Sequence, residues 1–234
     1  MPPPFIETHY SVFDKIPYEA QSVLGCIPSC WANKFQLKDV PDFAALPVVQ
    51  LDRRAVRAIC QSSAHPVLFG YVCAMAWGLQ GKDRKTEEHV GNAWNERKAI
   101  KRALKKLRSG GLNRADAYDL FCGKYEVKYL GPSYFTKLLY FFSPTPDFYI
   151  MDKWTSKSVN LLTEKEIVKM NGSPTRKNTG KNYQKFCEVV DSLAWQLGNT
   201  GEQIEERLFS KDGRPPAQWR AYVNEHYRHK KSKH

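Results

Sequence analysis

The stretch KYLGPSYFTKLLYFFSPTPDFYIMDKWTSKSV, residues 128–159, holds two helix starts separated by a proline-rich loop. Leu130-Gly131-Pro132-Ser133 reads as a tight turn leading directly into a helix over 134–142. Gly131 permits close backbone approach or positive φ, and Pro132 suits a first helical turn. Free N–H groups at such a start make a phosphate site without any base preference. Beyond Ser143-Pro144-Thr145-Pro146 comes a short extended run, Asp147 to Met151. Asp152 then stands just before Lys153-Trp154-Thr155-Ser156-Lys157, the second helix start. An aspartate there also has a purely structural account, since Asp is a favoured N-cap. Asp147 is the competing acid, but it sits in the loop and opens no helix.

Helical periodicity extends outward on both sides. Residues 1–50 are punctuated by proline and imply an irregular segment with one or two short helices. From Leu51 apolar positions recur at helical spacing, with Arg53, Arg54 and Arg57 on other faces. Pro66 opens a helix that is apolar nearly all round to Leu79, as expected of a central one. Residues 81–91 read as a charged connector. Asn95 to Arg108 is strongly amphipathic, with Ile100, Ala103, Leu104 and Leu107 on one stripe and seven Lys or Arg covering the rest. A face so lacking in acids repels itself, and a phosphate backbone nearby would relieve that. A further helix begins at Asn113, residues 171–181 read as a basic flexible loop, and Tyr183 to Leu197 as a strong amphipathic helix. Residues 203–209 and 217–227 complete the fold, and 228–234 form a basic, frayed tail. The fold class is therefore mainly all-α, in one unit over 1–234, with few or no strands.

The chain has 36 Lys and Arg against 24 Asp and Glu, a formal charge of +12. That excess favours a polyanionic partner, nucleic acid or an anionic membrane surface, and with the aromatic content it points to nucleic acid. No run of about 18 apolar residues occurs, which excludes a membrane-spanning helix. The N-terminus lacks the layout of a secretory signal, so a cytoplasmic, nucleoid-associated location is expected. The six cysteines are scattered and lack zinc or iron–sulfur spacing, and the six histidines show no ligand pattern, so no metal is assigned to them.

Residues 128–159 resemble the helix-hairpin-helix DNA glycosylase superfamily, which includes endonuclease III, the adenine glycosylases, 3-methyladenine glycosylase II and 8-oxoguanine glycosylase. Tyr129-Leu130-Gly131-Pro132-Ser133 occupies the place of the hairpin, and Tyr149-Ile150-Met151-Asp152-Lys153-Trp154 that of the catalytic-aspartate segment. Residues 183–209 also look like the tail of bacterial proteins with an 8-oxoguanine glycosylase fold. The resemblance implies a two-lobed fold, with hairpin and aspartate segment inside 113–160, and a monovalent cation on the hairpin carbonyls. Ser133 departs from the family's second hairpin glycine. Two residues later, where bifunctional members hold a nucleophilic lysine, stands Phe135, as in the monofunctional 3-methyladenine enzyme. Lys137 lies two residues further, about 200° around the helix.

Cleaving an N-glycosidic bond builds positive charge on the deoxyribose, and a fixed carboxylate can stabilise it and orient water. The base must leave the stack, which needs aromatic walls and a wedge. The expected enzyme is a monomeric glycosylase on double-stranded DNA, hydrolytic and without a required cofactor, with Asp152 as its catalytic group. Lys128, Gly131, Ser133, Lys137 and Lys153 are the expected DNA contacts, and Tyr134, Phe135, Trp154 and Trp77 the expected walls or wedge. Three alternatives stand beside it: a glycosylase and lyase using Lys137, a phage-defence glycosylase acting on hypermodified bases, and a non-catalytic structure-specific DNA binder. An oxidised purine and an alkylated base are both open as substrate.

Overall fold

A computed structural model describes residues 4–20, 25–37, 39–78, 84–210 and 218–227. Its central element is α4 (Val67–Gly78), whose first eleven residues are all buried. The sequence dictates that burial, since a helix without a polar face has nowhere to go but the interior. Around it pack α2 (Pro28–Lys34), α3 (Arg53–Gln61), α6 (Arg97–Arg108) and α8 (Pro132–Phe142). Asp52 caps α3 by accepting a 2.7 Å hydrogen bond from the Ala55 N–H. On α6 the buried residues are Ile100, Ala103, Leu104 and Leu107, the expected stripe, while Lys98, Lys101, Arg102, Lys105 and Lys106 are exposed.

A second group of helices gathers around α9 (Lys153–Thr163), namely α10 (Gly180–Leu197), α11 (Gly201–Phe209) and α12 (Gln218–His226). The first helix, α1 (Glu7–Asp14), joins this group and not the one that follows it in sequence. Ile6 N–H reaches Leu162 O at 2.8 Å, the Phe13 ring meets Trp219 edge-on at 4.9 Å, and Arg207 donates to Phe13 O at 2.9 Å. The helix α7 (Arg114–Asp119) lies along α10. Their approach is close enough that a Cβ on Gly180 would stand 2.4 Å from Ala115 O. One continuous apolar cluster runs through both groups, with α8 touching α3, α4, α6 and α7 between them. This is the all-helical, two-lobed arrangement expected of a helix-hairpin-helix glycosylase.

The segment read as a charged connector is in part helical. α5 (Arg84–Asn95) ends against α6, and within it Val90, Ala93 and Trp94 are buried. Tertiary burial of that stripe outweighs the charged residues and the glycine that suggested a loop. Asp147 to Met151 forms no strand. The strands among the described residues are two short ones, β1 (Met170–Asn171) and β2 (Ser173–Pro174), turned by Gly172 at φ 70°. The loop expected over 171–181 is thus an ordered hairpin and turn. α10 begins three residues before Tyr183, because Thr179 and Asn182 form a reciprocal cap. The tail 228–234 lies outside the described residues.

Trp219 ties α12 to the rest, being fully buried and donating from Nε1 to Ser158 Oγ at 2.9 Å. Trp219→Ala should cost about 3–5 kcal/mol in urea unfolding, as expected for a truncated core aromatic. Trp195→Ala, at a side chain 85% exposed, should change stability by no more than about 0.5 kcal/mol.

Candidate active site

Asp152 is fixed by the start of α9. Its Oδ1 accepts from Trp154 N–H at 2.7 Å and Thr155 N–H at 3.0 Å, and Thr155 Oγ1 in turn accepts the Asp152 N–H at 2.9 Å. The N-cap account of this residue is therefore correct as far as Oδ1 is concerned. The capping box fixes the side chain, and Asp152 also lines a cavity of about 250 Å³ where the two helical groups meet.

Lys137 enters the same cavity from α8. Its Nζ donates to Ser133 O, one helical turn back, at 2.5 Å. Burial lowers the Lys137 pKa below the ordinary lysine value, because removing water disfavours the ammonium; the negative charges of Asp152 and Glu205 oppose that shift. The side chain reaches its place by crossing the end of α4. A Cβ on Gly78 would fall 2.4 Å from Lys137 Cδ and 2.7 Å from Cε, so no larger residue fits there without moving the lysine.

The remaining walls come from five helices and the segment before Asp152. α3 supplies Arg53, α4 Trp77, α9 Trp154, α11 Phe209 and Glu205, α12 Arg220, and the segment before Asp152 supplies Ile150. Glu205 is 1% exposed, and burial, with Asp152's charge adding, pushes its carboxyl up to about 7. Its Oε2 lies 2.6 Å from Arg53 Nη1, but the pair lacks hydrogen-bond alignment, and Arg53 Nε and Nη1 and Glu205 Oε2 are buried without a hydrogen bond among the described residues. Arg53 also faces Glu206 at 3.5 Å and stacks over the rings of Tyr140 and Trp77. Arg220 stands 4.4 Å over the Trp154 ring and 4.7 Å over the Phe209 ring, and donates to Phe209 O at 2.9 Å, so one guanidinium ties the two aromatic walls together. Two cations, Lys153 and Lys157, also approach Trp154, at 5.1 and 5.0 Å from its ring centre.

Of the residues named from sequence, the fold brings Asp152, Lys137, Trp154 and Trp77 together in one cavity. Phe135 is elsewhere. It is fully buried, stacked on Phe121 at 5.2 Å and edge-on to Tyr118 at 4.8 Å, because it lies on the face of α8 turned away from Lys137. Tyr134 lines a separate small hollow with Tyr71, Met75 and Tyr129. Lys128 and Lys153 are exposed, and Ser133 sits in the first turn of α8. Gly131 precedes that helix at φ −72°, ψ 168°, so a positive φ is not what calls for glycine. Arg53, Glu205, Phe209 and Arg220 went unrecognised in the sequence, since each is brought in by long-range packing; Arg53, placed from sequence only on a face other than the apolar one, is buried, while Arg54 on the same helix is exposed. Of these, only the pair Glu205 and Phe209, one turn apart on α11, carries even a faint local signal.

The model of a family described as "Putative 8-oxoguanine DNA glycosylase OGG-like protein" matches residues 18–209. No curated protein and no solved structure matches the chain. None of the described helices is long and apolar enough to cross a membrane.

The Gly78 contact gives a direct check on the cavity. Gly78→Ala should leave the fold intact at a cost of about 1–3 kcal/mol, the usual scale of overpacking. It should also push Lys137 outward, so that amine-directed acylation followed by peptide mass mapping labels Lys137 faster than in the parent chain.

Proposed function

The chain belongs to the 8-oxoguanine DNA glycosylase OGG-like family, and from that premise we propose that it excises an oxidised purine from duplex DNA through Lys137 and Asp152. The observation that carries this reading is the meeting of a desolvated lysine and a capped aspartate in one aromatic-walled cavity. Simple hydrolysis was the expectation while Phe135 occupied the nucleophile's place. With Phe135 in the core and Lys137 in the cavity, the amine becomes the better candidate for attack on the sugar.

The flipped base enters between Trp77, Trp154 and Phe209, which offer π-faces to a purine. As the glycosidic C1′–N bond breaks, its electron pair leaves with the base and positive charge builds on the deoxyribose. Asp152, held by its two backbone N–H bonds, stabilises that charge. The free amine of Lys137 uses its lone pair to form a bond to C1′ and then loses a proton. Opening of the sugar ring, with O4′ taking a proton, leaves an iminium joined to Lys137. Burial favours this step by raising the share of neutral amine near neutral pH.

The N-terminus of α8 receives a phosphate of the same strand, and Lys128 and Lys153 flank the duplex on the exposed rim. The clearance at Gly131 supports that placement: a Cβ there meets nothing of the chain within 4 Å. Glycine at this position is then explained by what approaches from outside.

Borohydride reduction on a duplex carrying 8-oxoguanine tests the reading. The parent chain should become covalently attached to DNA, and Lys137→Ala should abolish attachment. Asp152→Asn should keep DNA binding and slow base release by about 10²–10³-fold, the scale of removing one electrostatic stabiliser. Trapping should rise with pH and level off below the ordinary lysine pKa, since the shift at Lys137 is downward. Base release without trapping would return the chemistry to Asp152-assisted hydrolysis, and binding with no release would make the chain a DNA binder alone. Mass spectrometry of the released bases should show 8-oxoguanine; release confined to hypermodified phage bases would refute the substrate.

A further inference from the structure

Three backbone carbonyls, two just before the hairpin and one within it, converge on one nitrogen. Val127 O, Leu130 O and Lys128 O lie 2.8, 3.0 and 3.3 Å from Nη1 of Arg176, and Phe121 O lies 3.3 Å from its Nη2. All its hydrogen bonds among the described residues therefore go to main-chain oxygens. Carbonyls gathered in this way are what replaces the hydration shell of a monovalent ion. The donor set suits the cation that a helix-hairpin-helix resemblance implies. The position does not, because a covalently attached cation already occupies its centre. A second positive charge beside it would be repelled, and the oxygen donors it would need are already engaged.

Arg176 is held there by a built loop. Asn178, 2% exposed, accepts from Lys169 N–H at 2.8 Å and donates to Lys169 O at 2.9 Å and Thr175 O at 2.8 Å. β2, immediately before this turn, packs on both α8 and α9. The loop thus spans the hairpin helix and the aspartate helix, and the guanidinium is presented to the hairpin with little freedom left. Arg176 is exposed as a residue, so its charge lies at the protein surface beside the hairpin.

We infer that Arg176 is the hairpin's resident cation, and that this chain shapes the hairpin and grips a DNA phosphate beside it without a metal ion. The DNA half of this rests on the function proposed above; the hairpin half does not. A guanidinium suits the task because its planar fork keeps several N–H donors in fixed directions and stays charged at every physiological pH.

The full-length chain can be tested in KCl, NaCl, LiCl and tetramethylammonium chloride at equal ionic strength, reading the thermal midpoint and the affinity for a short DNA duplex. Both should be the same in all four salts. Arg176→Ala should weaken duplex binding by about tenfold or more in tetramethylammonium chloride, the scale of lost hydrogen bonds to a charged group. That loss should be recovered in part by KCl or by millimolar ethylguanidinium. A parent chain stabilised by K⁺ over tetramethylammonium would overturn the inference, as would an Arg176→Ala chain unchanged in both readouts. Should that variant fail to fold, the salt series on the parent chain still decides. If no salt gives duplex binding, the glycosylase reading fails, while the thermal midpoints still decide whether the hairpin needs an ion.

Discussion

Lys137 reaches the cavity because its aliphatic stem crosses the last turn of α4 at Gly78, where no side chain stands in its way. Together with Gly70, whose Cβ would meet the Phe142 ring at 2.9 Å, this contact lets α4 and α8 lie close, and the site is built on that approach. Trp77, one residue before Gly78, is set against the Phe141 ring at 5.0 Å and under Arg53. The start of α8 is then held where the hairpin precedes it. Met151 N–H, donating to Thr136 Oγ1 at 3.1 Å, carries the same constraint to the segment that ends in Asp152. The buried lysine and the half-buried, capped aspartate are thus tied to one another through α8.

The cavity runs against the stability of the fold that holds it. Arg53 and Glu205 lie nearly out of water with imperfect alignment, and an ion pair in that state recovers little of its desolvation cost. Lys137 is held by one carbonyl and the field of two acids. Apolar residues of similar volume would pack here without those costs. Three ionisable groups, Arg53, Glu205 and Lys137, thus persist at the meeting of the two helical groups, and strongly perturbed groups gathered in a cleft are what a functional site is built from.

Much of the site was readable before the fold, and the reasons for success and failure differ by residue. Asp152 was legible because an N-cap is a local event, written in the residues on either side of it. The fold class was legible for the same reason: the stripes on α6 and α10 are patterns within one helix. Phe135 misled because the sequence places it and Lys137 on opposite faces of α8 but does not say which face meets the cavity. That choice is made by α7 and the short helical segment after it, whose Tyr118 meets Phe135 edge-on and whose Phe121 stacks on it. Arg53, Glu205 and Arg220 arrive from helices far apart in the chain, and only tertiary packing sets them side by side. Arg176 was hidden more deeply, as one cation among several in a basic loop some 45 residues beyond the carbonyls it serves.

The clasp between the first helix and the last has a consequence for synthesis. Phe13 has its ring against Trp219, and its carbonyl accepts from Arg207, so α1 leaves the ribosome long before its partners exist. Through most of translation its apolar face has nothing native to cover it. The lobe that contributes Asp152, Glu205 and Arg220 cannot close until α12 has emerged. A chain stopped short of α12 would carry the hairpin and Lys137 but lack the Arg220 wall, so the cavity is complete only once α12 is in place.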